Sequence, residues 1–200
     1  MKFYFVRHGE SEANTLRVIS NRESPFELTP LGKKQAVALA EELKDIPIEA
    51  IFSSPVLRAR QTAEILSLSF HRSYQVTEAL REYDCGIIEE KSDEGSWKLH
   101  GEIAEDWTRH HNYLRKPEGG ECFLDIQNRF LPLIESLKHG NDQHILLIGH
   151  GGLFHLMLPL VLSNIDNDFV RSHGLDHTDC VIAEYFSGQF VCKQWGAIQF

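Results

Sequence analysis

The apolar positions fall into two kinds of run. Short continuous runs occur at residues 3–6 (Phe-Tyr-Phe-Val), 50–52 (Ala-Ile-Phe) and 145–148 (Ile-Leu-Leu-Ile). Runs of this length, rich in aromatic and β-branched residues, predict strands, and the unbroken run at 145–148 predicts one covered on both faces. Between them the apolar residues recur at helical spacing. Ala36, Leu39, Ala40 and Leu43 share one face behind Thr29-Pro30, an N-cap followed by proline in the first turn. Ser54-Pro55 repeats that start ahead of Ala59, Ala63, Ile65 and Leu66. Glu121 to Lys138 carries a stripe of Phe123, Ile126, Phe130, Ile134 and Leu137, with Pro132 predicting a kink. Leu153 to Leu162 is apolar but holds His155 and Pro159; at roughly half a membrane span it predicts a buried helix. A strand is expected near Tyr74 to Thr77, and Cys180 to Tyr185 and Phe190 to Trp195 flank the hairpin signal Ser187-Gly188. Residues 10–27 read as a loop with a helical turn after Ser11. Residues 84–120 are the least legible: Gly95, Gly101, Gly119 and Gly120 interrupt them, leaving a helix only at Glu102 to His111. The alternation predicts an α/β fold in one domain over residues 1–200, a three-layer α/β/α sandwich with a mainly parallel central sheet.

Composition narrows the partners. The 200-residue chain suffices for one substantial core, and its 42% apolar and 24% charged content is that of a soluble globular protein. A formal net charge of −9 argues against nucleic acid or an anionic membrane as partner. It leaves room for a small anion, because a local cluster of cations can outweigh the global field inside a cleft. Cys85, Cys122, Cys180 and Cys192 form no C-x-x-C pair and lack zinc-finger spacing, so they read as scattered thiols in a cytoplasmic setting. The apolar start before Arg7 is too short for an export signal. There is no repeat or linker, and oligomeric state leaves no signature.

The residues at which the strands stop change the picture most. The first run ends at Arg7-His8-Gly9-Glu10, the second at Ser53-Ser54-Pro55 with Arg58 just beyond, and the late one at Gly149-His150-Gly151-Gly152. In an open α/β sheet, ligands lie beyond the carboxyl ends of strands. Arg58 sits where it opposes the dipole of its own helix by roughly a few tenths of a kcal/mol. A bound anion reverses that sign, since guanidinium forks and helix N-termini both favour phosphate. Other features read more plainly. Arg17 and Arg22 are expected to be solvated, as is the charge pair Glu89-Glu90. Trp97, Trp107 and Trp195 are expected in the core. Asp179-Cys180 fits either the crevice or the core, and His110, His111, His173 and His177 carry no metal expectation.

Arg7-His8-Gly9-Glu10, Asn14, Leu28-Thr29-x-x-Gly32-x-x-Gln35-Ala36, Ser53-Ser54-Pro55-x-x-Arg58-Ala59-x-Gln61-Thr62-Ala63, Glu82 and Gly149-His150-Gly151 occur in that order. Together they resemble the histidine phosphatase superfamily, also called the phosphoglycerate mutase-like family, from residue 3 into the helix after His150. The resemblance implies that fold, with His8 as the nucleophile that forms a phosphohistidine. It implies that Arg7, Arg58 and His150 bind the phosphoryl oxygens, with Asn14, Ser20 and Gly151 assisting, and that Glu82 is the general acid. The chemistry suits these roles: phosphoryl transfer needs positioning and positive charge, which two arginines and an imidazole supply without a metal or other cofactor. A nucleophilic His8 needs its other ring nitrogen to donate to a fixed acceptor, and an acidic Glu82 needs a raised pKa. The sequence departs from the family pattern at residues 21–27, at Glu89-Glu90-Lys91 and at Cys122, where substrate choice would be set.

The expected activity is hydrolysis of a small phosphorylated metabolite. One alternative is a cofactor-dependent phosphoglycerate mutase, disfavoured by the compact segment after Glu82 and the lack of Arg-Arg within residues 108–116. The other is a non-catalytic phospholigand-binding protein.

Overall fold

The computed structural model describes residues 1–22 and 25–200. Strands β1 (Lys2–Arg7), β2 (Ala50–Ser53), β3 (Tyr74–Val76) and β4 (His144–Gly149) run parallel. β5 (Cys180–Phe186), β6 (Gln189–Trp195) and β7 (Ile198–Gln199) extend the same sheet antiparallel, giving the order β3-β2-β4-β1-β5-β6-β7. Ser187 and Gly188, at φ 50° and 89°, turn the β5–β6 hairpin, as two-residue loops require. The sheet is therefore parallel in its central part and antiparallel along one side.

The helices are α1 (Glu12–Thr15), α2 (Pro30–Glu42), α3 (Leu57–Phe70), α4 (Glu94–Thr108), α5 (Phe123–Lys138), α6 (Gly151–Met157) and α7 (Asn167–Ser172). Side chains alternate across the sheet. Tyr4, Val6, Leu146 and Ile148 pack with Leu39 and Ala40 of α2 and Ala63 and Leu66 of α3. Phe3, Phe5, Ile145 and Leu147 pack on the other face with Trp107 of α4, Phe130 of α5 and Phe154 of α6. Three layers result, with one core on each side. Among the described residues no helix is long and apolar enough to cross a membrane. All four cysteines are buried free thiols.

Three helices differ from the sequence reading. α3 begins at Leu57 rather than beside Pro55, because the Ser54 hydroxyl accepts from Val56 N–H (3.2 Å) and is engaged by His150. α4 begins far earlier than Glu102, at an Asp93 cap that accepts from both the amide and the hydroxyl of Ser96 (2.9 and 2.7 Å). Gly95 and Gly101 lie inside it. Their cost, about 1 kcal/mol each relative to alanine, is outweighed by burial of Ile103 and Trp107. α5 starts at Phe123 and continues past Pro132.

Register is what assembles the crevice. Arg7 pairs with Gly149 across β1–β4, and Ser53 pairs with Ile148 across β2–β4, so three adjacent strands end at one level. The start of α2 then closes directly on the turn after β1. A Cβ on Gly32 would lie 2.0 Å from the Glu10 carbonyl oxygen, and one on Gly9 would lie 2.6 Å from the Gly32 carbonyl oxygen. Gly32→Ala must push that turn aside. It should destabilise the protein by roughly 1–3 kcal/mol, read as a lower denaturant midpoint at unchanged m-value. An alanine variant of wild-type stability would show that the close approach is not a constraint.

Candidate active site

Arg58 is the hub. It projects from the first turn of α3 and is 5% exposed. Its Nε donates to His8 Nε2 (2.9 Å), Nη1 to the Ser20 carbonyl (2.5 Å), and Nη2 to His150 Nδ1 (3.3 Å) and Asn21 Oδ1 (3.4 Å). A guanidinium only donates, which fixes both imidazoles. His8 Nε2 presents a lone pair, so its Nδ1–H donates to the Gly9 carbonyl at 2.7 Å. His150 Nδ1 accepts, so its Nε2–H donates to Ser54 Oγ at 2.8 Å. The two rings meet edge to face, 5.0 Å between centroids.

Arg7 approaches from the end of β1. Its Nη1 donates to the Leu175 carbonyl (2.5 Å) and its Nη2 to His177 Nε2 (3.1 Å). The segment before β5 is thus wrapped around this guanidinium; Thr178 N–H also donates to the Arg7 carbonyl at 3.0 Å. Arg7 Nε and Ser20 Oγ are buried without a hydrogen-bond partner. Each such group costs about 1–3 kcal/mol until something pairs with it. Both line a cleft of about 220 Å³, together with His8, Asn14, Arg58, Glu82 and Gly151. A side chain on Gly151 would crowd Arg7, its Cβ 3.3 Å from Nε. Asn14 spends its carbonyl oxygen on the amide and hydroxyl of Ser11 (3.0 and 2.8 Å), leaving its NH2 for a ligand. His150 lies behind Arg58 with no exposed surface.

Glu82 lines the same cleft at 9% exposure. Its oxygens accept from the amides of Tyr83 (3.1 Å) and Gly152 (2.9 Å). Gly152 has no room for a side chain; a Cβ would stand 2.8 Å from either carboxyl oxygen. The carboxyl belongs to a segment tied to α5. Arg129 grips Glu121 with two N–H groups (2.9 and 3.1 Å) and donates to the Ala79 carbonyl, while Glu121 accepts from Asp84 N–H.

Burial decides the protonation states. It pushes Glu82 up, against the pull of backbone donors and Arg58. It drives His8 and His150 well below the ordinary histidine value, and Arg58 pushes each further down. Burial lowers Arg58 itself to about 10, and burial with Arg7 lowers His177 to about 4. The pocket therefore holds two neutral imidazoles beside two guanidinium groups, with an acid that resists ionisation.

Several contributors escaped the sequence reading. Asn21 and His177 touch the arginines, yet neither stands in a motif. Glu89 is not solvated: its oxygens accept from Asn21 and Cys85 N–H, both at 2.8 Å, pinning the loop that feeds Ser20 and Asn21 to Arg58. Trp97 packs partly buried against the core and also lines the cleft, whereas Trp107 and Trp195 are fully buried. Arg22 is exposed as expected, and it also donates to Asp84 (2.9 Å) and the Gly119 carbonyl (3.0 Å). Asp179 accepts from Arg7 N–H through its backbone carbonyl at 3.1 Å while its carboxylate favours the Arg7 charge from longer range, and Cys180 is core. Glu23 and Ser24 lie outside the described residues. Among the described residues no cluster of His, Cys, Asp or Glu could hold a metal ion.

An α/β sandwich that gathers two guanidinium groups and a lone-pair imidazole at its strand ends presents donors suited to an oxyanion. The family model described as histidine phosphatase superfamily (branch 1) matches residues 3–198, and the chain belongs to that superfamily. A Hydrogenobacter thermophilus protein assigned by name as phosphoserine phosphatase 2 is 30% identical over 179 residues, 87% of each chain. A Proteus mirabilis protein assigned by name as phosphoglycerate mutase GpmB is 31% identical over 172 residues, 81% of this chain and 75% of its own. A mycobacterial glucosyl-3-phosphoglycerate phosphatase solved with VO3 shares the fold at TM-score 0.84 and 24% identity, over 98% of this chain and 99% of that one. Bacillus stearothermophilus YhfR superposes at TM-score 0.83 and 28% identity, over 99% and 98%.

The depressed imidazoles carry a stability signature. Below the unfolded value of ~6.5, the unfolded chain takes up protons that the native site refuses. Stability from His8 and His150 is thus present above that pH and lost below it, by about 1.4 kcal/mol per pH unit for each ring held neutral. Buried carboxyls such as Glu82 act oppositely, so the comparison must isolate the imidazole. The stability advantage of wild type over His150→Asn, from denaturant melts, should shrink between pH 7.5 and 5. A constant gap would mean that His150 titrates alike in both states.

Proposed function

We propose that the chain is a phosphatase that hydrolyses a small phosphorylated metabolite through a phosphohistidine on His8, with Glu82 as general acid. One observation carries the reading. The Gly9 carbonyl accepts from His8 Nδ1–H, leaving Nε2 as a lone pair that faces the Arg58 guanidinium in a cleft that Arg7 also lines.

The substrate phosphoryl group docks against Arg7 Nε, the donors of Arg58 and the NH2 of Asn14, with Ser20 Oγ and Gly151 at its edge. Its charge draws the Arg58 Nε–H away from the ring, which uncaps the nucleophile. His8 Nε2 then attacks phosphorus in line as the ester P–O bond breaks, and Glu82 gives its proton to the departing alkoxide. Water next attacks the phosphohistidine, with Glu82 carboxylate as base, and returns inorganic phosphate and neutral His8. Arg7 and Arg58 stabilise the charge on the equatorial oxygens throughout. His150, fully buried with both ring nitrogens engaged, does not reach those oxygens as the sequence led us to expect, and instead positions Arg58.

The surroundings favour hydrolysis over mutase chemistry, despite relatives named as mutases. Arg109 pairs with Glu105 (2.9 Å), Arg115 with Asp106 (2.6 Å) and Glu102 (3.3 Å), and Lys116 with Asp125 (3.9 Å). None of the three lines the cleft. A second anionic group on a phosphoglycerate would find no clamp there.

Incubation with an alkyl phosphate should release inorganic phosphate, and quenching should trap an acid-labile phosphoenzyme that His8→Ala lacks. With 3-phosphoglycerate and a bisphosphate primer, formation of 2-phosphoglycerate in place of free phosphate would support the mutase. Absence of both turnover and adduct would support the binding protein. Chelator should leave the rate unchanged.

Glu82→Gln should cut kcat/KM for an alkyl ester by roughly 10²–10⁴-fold, but hardly affect p-nitrophenyl phosphate, whose leaving group needs little protonation. The raised Glu82 pKa also sets a sign: alkyl ester turnover falls as pH rises through it, while p-nitrophenyl phosphate lacks that limb. Equal losses on both substrates would remove the acid assignment.

A further inference from the structure

We propose that the alcohol half of the substrate is uncharged and presents an apolar or aromatic body to the wall formed by Tyr83, Trp97 and His100. This deepens the phosphatase reading and rests on it.

The charge inventory of the cleft comes first. Arg7 and Arg58 are the only Lys or Arg among its described lining residues, and both stand at the His8 end. The remaining wall is Ala13, Val18, Ile19, Tyr83, Trp97 and His100, with the amides of Asn14 and Asn21. Neither Glu23 nor Ser24 could add a cation. The nearest outside cations are spent or displaced. Arg22 is committed to Asp84 and the Gly119 carbonyl. Arg17 does not line the cleft; it borders an adjoining hollow with Ala13, Asn14, Val18 and the edge of Trp97, its carbonyl accepts from Trp97 Nε1 at 2.8 Å, and its side chain is exposed to water.

The aromatic wall is electrically quiet. Tyr83 Oη and His100 Nε2 satisfy each other at 2.6 Å, so these polar atoms are spent within the wall. The rings stack, 5.4 Å between centroids at 22°, and Trp97 meets His100 edge-on at 5.3 Å and 63°. Burial keeps His100 below its ordinary pKa, so it adds no fixed charge. Glu82, the one carboxyl among the described lining residues, offers a second substrate anion no positive charge. A carboxylate on the alcohol would therefore lose water and gain no counter-charge, whereas a ring or branched alkyl body would cover apolar surface.

Three alkyl esters test this, because all need leaving-group protonation: benzyl phosphate, O-phosphoserine and 3-phosphoglycerate. By phosphate release, kcat/KM for benzyl phosphate should exceed that for either acidic ester by roughly tenfold or more. Trp97→Ala should raise KM for benzyl phosphate severalfold and leave methyl phosphate, too short to reach the wall, unaffected. Val18→Lys, at the half-exposed rim, should raise kcat/KM for 3-phosphoglycerate and not for benzyl phosphate. It keeps the test open if Trp97→Ala folds poorly. Acidic esters turned over as well as benzyl phosphate, or a benzyl KM indifferent to Trp97, would overturn the inference and leave the phosphatase standing. No phosphate release from any ester, with no acid-labile adduct, would instead overturn the reading beneath it.

Discussion

A guanidinium group shut away from water without a carboxylate is the constraint on which the rest depends. Arg58 is buried against two imidazoles, a carbonyl and an amide oxygen, and Arg7 is largely buried against a carbonyl and a third imidazole. Among the described residues neither makes an ion pair within 4 Å. Removing one partner from a buried ion pair typically costs about 3–5 kcal/mol, because the remaining charge is uncompensated. Here no carboxylate stands at ion-pair distance; Asp176 and Asp179 favour the Arg7 charge, and Glu89 that of Arg58, only from longer range. An oxyanion entering the cleft would meet both guanidinium groups at once. The imidazoles are neutral chiefly because they are buried, and the guanidinium field disfavours their charged form further.

Holding such a site open requires support from residues that touch no ligand. Thr62 accepts from Gly9 N–H (3.1 Å) and donates to the Arg58 carbonyl (2.8 Å), joining the nucleophile turn to α3. Gln35 takes Glu10 N–H (2.9 Å), and Gln61 takes Leu28 N–H (2.7 Å). Glu89 fixes the loop that feeds carbonyl and amide oxygens to Arg58, and the Arg129–Glu121 fork fixes the segment that carries Glu82. Each link is worth about 1 kcal/mol, or two to three where a charge takes part. Their common effect is to keep donors and lone pairs in position before a ligand arrives.

The strand ends were legible because a buried strand and the residue that stops it are local in sequence. Arg7, His8 and His150 follow unbroken apolar runs, and Arg58 stands just inside a proline-marked helix start, so four side chains could be placed at one crevice. The side opposite was not legible. His177 reaches Arg7 because β5 docks antiparallel on β1, and hairpin patterning says nothing about which strand it joins. Glu89 looked solvated because a Glu-Glu pair usually is; its burial depends on two amides from distant segments. Trp97 read as core because large aromatics usually are, and α4 was hidden by glycines whose cost its buried face outweighs.

The two ends of the cleft are built from different kinds of structure, and this bears on why names do not transfer between relatives. The end at His8 hangs on three hydrogen-bonded strands in fixed register, cross-braced through Thr62 and Arg58; a change there disturbs the sheet, both cores and His8 together. The end at Trp97 comes from a loop, a one-turn helix and the first two turns of α4, where a side chain can change while the sheet stays intact. Selection acting on substrate is therefore free to rewrite Val18, Trp97 or His100 without touching His8. At about 30% identity, shared chemistry at the first end and divergent choice at the second are what this construction makes easy. A relative's name thus informs the reaction more than the ester, and the ester has to be argued from the wall that meets it.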